Sequence, residues 1–203
     1  MYDIDDLKTL VDMAAGGRSP ADLLITNAKL VDVLTGEIRE TDVSVGGGKI
    51  LGFSHTEAVK VVDARGAYLL PGLIDAHIHI ESSMVSPARF AGLVLPHGTT
   101  SVVADPHEIA NVHGLEGIRY MLENGRHLPL NIFIALPSCV PATPFEDSGA
   151  VLSAEELEEL IDDPKVTGIG EMMNFPGVVS GDYDVLAKIQ LGTSHGKIVD
   201  GHA

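Results

Sequence analysis

Tryptophan is absent from this 203-residue sequence, aromatic residues make up only 4% of it, and there is a single cysteine. A core with so few rings must be built from Val, Leu, Ile and Ala. One cysteine, Cys139, excludes an internal disulfide. Basic residues are also scarce: 13 Lys and Arg stand against 29 Asp and Glu, a net charge of −16. Such a surface repels phosphate backbones and anionic lipids, which argues against nucleic-acid and membrane-surface partners. No apolar run reaches the roughly 18 residues that span a bilayer. The opening MYDIDDLKTLVDMAAGG is too acidic for a secretory leader, so a cytoplasmic protein is expected. What is plentiful is aliphatic: 45% of residues are hydrophobic, enough for a packed domain.

Three textures follow one another. Ile4, Leu7, Leu10, Val11 and Ala14 have helical spacing, stopped by Gly16-Gly17, which gives an N-terminal helical segment over 1–19. Residues 20–70 alternate short β-rich runs with turns at Asn27, Thr35-Gly36 and Gly46-Gly47-Gly48. This predicts a small β domain of mostly antiparallel strands, sandwich-like or half of a composite sandwich. From 71 to 203, apolar strands alternate with helices. LIDAHIHI, TTSVVADP, LNIFIALPSCV, VTGIGEMM and KIVDGHA are the strands. Among the helices, SAEELEELIDD opens on a capping box, Ser153 to Glu156. The fold class is therefore α/β, and five such strands in a row suit either a doubly wound sheet or, as expected here, a partial (β/α)8 barrel. A complete barrel takes about 250 residues, so 71–203 is expected to be its front part, ending on an apparent strand at Ala203.

In PGLIDAHIHIESS, residues 71–83, His77 and His79 are two apart. In a strand they share a face, with Asp75 on that face below them. Two such imidazoles either bind one metal ion or sit in a satisfied polar layer. The other strand ends favour the metal: Asp105-Pro106-His107-Glu108 closes the second strand, Glu171 the fourth and His202 the fifth. Imidazoles to fix each ion and a carboxylate to bridge them make a two-metal hydrolytic centre. His with carboxylate suits divalent manganese, iron or zinc; two ions are expected, with manganese the expected metal.

PGLIDAHIHIESSM, ADPHEIANV, LPSCVPATPFE, GIGEMMNFPGV and VDGHA together resemble the adenine deaminases of the amidohydrolase superfamily, over nearly the whole chain. The resemblance implies hydrolytic deamination of adenine to hypoxanthine and ammonia. It makes His77 and His79 ligands of the first metal, Glu171 the bridge and His202 a ligand of the second, so that Glu171 and His202 are catalytic. Many relatives place a carboxylated lysine at the bridge; Lys165 lies at the wrong end of its strand for that. The superfamily also draws a His from strand six and a proton-shuttling Asp from strand eight, neither of which is in these 203 residues. Another superfamily hydrolase, such as a cyclic amidase or deacetylase, and an inactive fragment are the alternatives.

Asp105, His107 and Glu108 are either further metal ligands, supports for His77 and His79, or simply the turn into the next helix. Glu81 is a candidate substrate contact, while Ser82 and Ser83 are expected to cap the following helix. Met172, Met173 and Phe175 either line a pocket for a flat heterocycle or pack. Cys139 is expected to be small and buried rather than nucleophilic. His55, His97, His113, His127 and His195 are expected at the surface. Unpaired sheet edges in so short a chain predict self-association or instability.

Overall fold

A computed structural model of the protein describes residues 3–15, 18–54, 56–143 and 145–202. Gly16-Gly17, His55 and Ala203, which figure in the expectations above, lie outside these residues. The chain divides into two compact units at Pro71/Gly72.

The first unit opens with α1 (Ile4–Ala14), whose Asp3 side chain accepts from the Asp6 amide. One five-stranded sheet follows, made of β1 (Ala21–Val31), β2 (Ile38–Gly46), β3 (Lys49–Gly52), β4 (Ala58–Asp63) and β5 (Tyr68–Leu69). The β1–β2 and β2–β3 pairings are antiparallel, but β4 and β5 both run parallel to β1, so the sheet is mixed. The expected turn at Asn27 is a bulge instead. Asn27 sits at φ 53° inside β1, where the register shifts between Ile25 and Ala28. Its amide donates to Asp63 Oδ1 at 2.9 Å and its backbone N–H to Asp42 Oδ1 at 3.1 Å. An Asn tolerates this left-handed backbone, and these bonds let the strand continue through it.

The second unit strings together β6 (Leu73–Ile78), α2 (Pro87–Val94), β7 (Thr99–Ala104), α3 (His107–His113), α4 (Leu115–Gly125), β8 (Asn131–Leu136), α5 (Ala154–Glu158), β9 (Val166–Met172), α6 (Phe175–Ser180), α7 (Tyr183–Ser194) and β10 (Ile198–Gly201). The five strands pair in chain order, and every pairing is parallel. Each crossover carries a helix that covers the sheet, as parallel strands require. The capping box of α5 is present: Ser153 Oγ accepts from the Glu156 amide at 3.3 Å, and Glu156 Oε2 accepts from the Ser153 amide at 2.9 Å. The core between sheet and helices is aliphatic, centred on Val102, Ile132, Ile134, Leu136 and Ile169 with Ile118, Leu157 and Ile161 from the helices. Its only ring among the described residues is Phe90.

The sheet is curled. β6 and β10 are its two edges, and in a flat sheet four spacings of about 4.8 Å would hold them roughly 19 Å apart. Yet His77 Nδ1 on β6 lies 3.3 Å from Asp200 Oδ2 on β10. Only a wall bent like that of a barrel lets side chains from the two edges meet. Among the described residues no helix is long and apolar enough to cross a membrane.

Ile134 and Leu136 are fully buried on β8. Ile134→Ala is expected to lower stability by about 2–5 kcal/mol. Val179→Ala, on the exposed side of α6, is expected to stay within about 0.5 kcal/mol. Urea denaturation measures both, and equal effects would contradict the assignment of the core.

Candidate metal centre

Because the strands are parallel and the sheet is curled, the residues that end β6, β7, β9 and β10 converge. Glu171, on β9 and only 6% exposed, is the meeting point. His79 Nε2 lies 3.5 Å from its Oε1, and His77 Nε2 lies 3.7 Å from its Oε2. His107 Nδ1 lies 3.6 Å from Oε1, and His202 Nδ1 donates to Oε2 at 2.6 Å. Burial pushes the Glu171 carboxyl up, but the His202 hydrogen bond and the neighbouring imidazoles outweigh it and hold the group below the usual glutamate range.

The partners of the two β6 histidines fix their tautomers. His79 Nδ1 sits 2.9 Å from the carbonyl of Asp105, which can only accept. His77 Nδ1 faces the Asp200 carboxylate. In the neutral rings both protons are therefore on Nδ1, and both Nε2 atoms carry bare lone pairs. These two atoms are 3.2 Å apart and face the Glu171 oxygens. A divalent ion with bonds of about 2.0–2.2 Å keeps adjacent ligand atoms roughly 3.0–3.6 Å apart. The donor set and its spacing fit such an ion, and the carbonyl and carboxylate behind the rings are the supports that metal-binding histidines use. His77, His79 and Glu171 thus could hold one ion, as could Asp105, His107 and Glu171.

The turn after β7 does two things at once. Pro106 ends the strand and His107 opens α3, so the residues do form a turn. The same turn seats Asp105, 1% exposed, beside Glu171, where its Oδ2 accepts from the Glu171 amide at 2.9 Å. Asp105 therefore ties β7 to β9 through its side chain and orients His79 of β6 through its carbonyl. Gly170 makes room for it: a Cβ there would stand 2.1 Å from Asp105 Oδ2. Contact with the Asp105 carboxylate raises the affinity of His107 for its proton above that of an ordinary imidazole, against the effect of burial.

Several expected residues lie elsewhere. Glu108, one position further round α3 than His107, leaves the group and accepts from Ser82 Oγ at 2.5 Å. Ser82 and Ser83 do not cap α2. Ser82 makes that bond, Ser83 Oγ donates to the Ile80 carbonyl, and α2 starts later, at Pro87 after Ser86. Glu81 lies beside α3, where its Oε1 accepts from the Ile109 amide at 3.4 Å; burial pushes its carboxyl up. Met172 packs, with its Sδ 3.9 Å from Cys139 Sγ, and Cys139 is buried. Met173 lines a cleft of about 310 Å³ next to His107 and Asn111. Phe175, the first residue of α6 after the Asn174 cap, is 71% exposed. His97, His113, His127 and His195 are at the surface. Asp200 had not been singled out. Its signal was available, since it precedes His202 by two, the same period that pairs His77 with His79.

Residues 68–203 match the model of the amidohydrolase family. The chain belongs to that family. A protein of Nitratidesulfovibrio vulgaris strain DP4 named adenine deaminase is 63% identical over 97% of this chain and 34% of its own length. Another of that name, from Halalkalibacterium halodurans, is 51% identical over 93% of the chain and 33% of its own length. The chain thus spans about a third of the length of these relatives. An N-acyl-D-glutamate deacylase from Bordetella bronchiseptica, solved with zinc and a phosphonate inhibitor, shares the fold: TM-score 0.55 at 17% identity, over 91% of this chain and 45% of that one. The second unit is therefore a curled parallel section of an amidohydrolase barrel.

Gly170→Ala should displace Asp105 and break its bond to the Glu171 amide, at a cost of about 1–3 kcal/mol. Gly92, on α2, has nothing within 4 Å of a built Cβ, so Gly92→Ala should be neutral or stabilise by about 0.5–1 kcal/mol. Thermal denaturation of the two variants checks this; an unperturbed Gly170→Ala protein would mean that Asp105 does not clamp β9.

Proposed function

We propose that this chain supplies the opening half of a binuclear metal centre that deaminates adenine to hypoxanthine and ammonia. The observation that carries the reading is the convergence of two lone-pair nitrogens, His77 Nε2 and His79 Nε2, on the buried carboxylate of Glu171. His77, His79 and Glu171 would hold the first ion, with manganese favoured and iron or zinc suited to the same donors. Glu171 and His202 would hold the second, His202 exchanging its present bond to the carboxylate for the ion. Divalent ions bound there acidify water and so provide a nucleophile at neutral pH for attack at C6 of the purine.

The chain's own residues have separate tasks in this reading. Asp105 and Asp200 keep the β6 imidazoles in the tautomer that presents Nε2. Glu171 holds the two ions at working separation through its two oxygens. Met173 and Glu81, beside His107 and α3, would flank the purine ring. Further ligands and the proton shuttle belong to barrel strands six and eight, so the proposed activity is that of a protein containing those strands. The 63% identity to a relative named adenine deaminase supports adenine over other substrates.

The test is an assay of the protein purified from its source cells. Adenine should yield ammonia and hypoxanthine, while cyclic amides and N-acetyl compounds stay intact. Glu171→Gln should lower turnover by at least about 100-fold and reduce bound metal. Near-normal turnover with full metal content in that variant would refute the bridge. Hydrolysis of an amide in place of adenine would point to the amidase or deacetylase alternative, and no turnover of any kind to an inactive fragment.

A further inference from the structure

The β6 histidines account for only part of what surrounds Glu171. On the β7 side, Asp105 is 1% exposed, and its Oδ1 has no hydrogen-bond partner. His107 Nδ1 is likewise buried and without a hydrogen bond. The two atoms face each other at 3.5 Å, too far for a sound N–H···O bond. Glu171 Oε1 completes the triangle, 3.6 Å from the same His107 nitrogen. A buried carboxylate oxygen left unpaired is costly. The fold nevertheless maintains this one, by fixing Oδ2 to the Glu171 amide and by keeping residue 170 free of a Cβ.

The two edges that meet at His107 Nδ1, 3.5 and 3.6 Å, match those of a coordination shell, which run roughly 3.0–3.6 Å for bonds of 2.0–2.2 Å, and the ligand atoms of the three residues all lie within 4.8 Å of one another. We infer that Asp105 Oδ1, His107 Nδ1 and Glu171 Oε1 form a separate cation subsite that takes a divalent transition ion. It lies on the β7 side of Glu171, and the ligands it does not share with the centre proposed above come from β7 and α3 alone. One imidazole and two carboxylates suit manganese, iron or zinc, with solvent filling the remaining positions. Glu108 is not a ligand, being engaged by Ser82. The subsite shares Glu171 with the proposed deaminase centre but does not depend on that centre's substrate. It would place a positive charge at the mouth of the cleft lined by His107 and Met173.

Manganese titration of the chelator-stripped full chain tests this, with bound ion counted by elemental analysis. His107→Ala, and the better space-filling His107→Gln, should each bind one equivalent fewer than the parent, with unchanged circular dichroism. The double variant H77A/H79A should bind one equivalent more than the triple variant H77A/H79A/H107Q. A His107→Gln protein that is folded and binds as many manganese ions as the parent overturns the subsite, as does an H77A/H79A protein that binds none. If the protein purified from its source cells binds manganese on these terms but releases no ammonia from adenine, the functional proposal falls and the subsite stands.

Discussion

The bending of one parallel sheet is the constraint on which everything else depends. Five strands in chain order would spread their ends over about 19 Å if flat. Bent, they bring side chains from β6, β7, β9 and β10 around one carboxylate. Parallel strands make this productive because all their C-terminal ends lie on the same side. Helices in the crossovers bury the outer face, and an aliphatic core nearly free of rings holds the curve.

Asp105 shows how the sheet becomes a site. A single residue at the end of β7 uses its carbonyl on His79 and its carboxylate on the Glu171 amide, so that three strands share one fixed point. The electrostatics follow. Burial pushes the Glu171 carboxyl up, and the His202 hydrogen bond, with His79 and His107 when they carry a proton, holds it down; in their neutral forms His77 and His79 turn free lone pairs toward it. An arrangement of this kind is held together by the fold, and a cation bound there would offset its negative charge.

Much of this was legible in the sequence because it follows from periods. Alternation of apolar strands and helical segments gave the parallel sheet, and the spacing of two gave the shared face of His77 and His79. Glu171 and His202 stood out as polar residues ending apolar strands. What was hidden depends on tertiary partners. Nothing local in the β-rich run dictates that β4 and β5 pair parallel with β1. Asn27 carries a turn residue's signature, yet bonds to Asp42 and Asp63 keep it within a strand. Glu108 and His107 are neighbours in sequence but point differently once α3 forms. The need for Gly170 becomes visible only when Asp105, 65 positions earlier, is seen against it.

The central claim is that the convergence on Glu171 is a metal centre. Anomalous X-ray diffraction from crystals of the protein grown with manganese tests it most directly. The account predicts a manganese peak within about 2.0–2.3 Å of His77 Nε2, His79 Nε2 and a Glu171 oxygen. A map with no peak there, and with the two imidazoles bonded directly to each other or to the carboxylate, would contradict it.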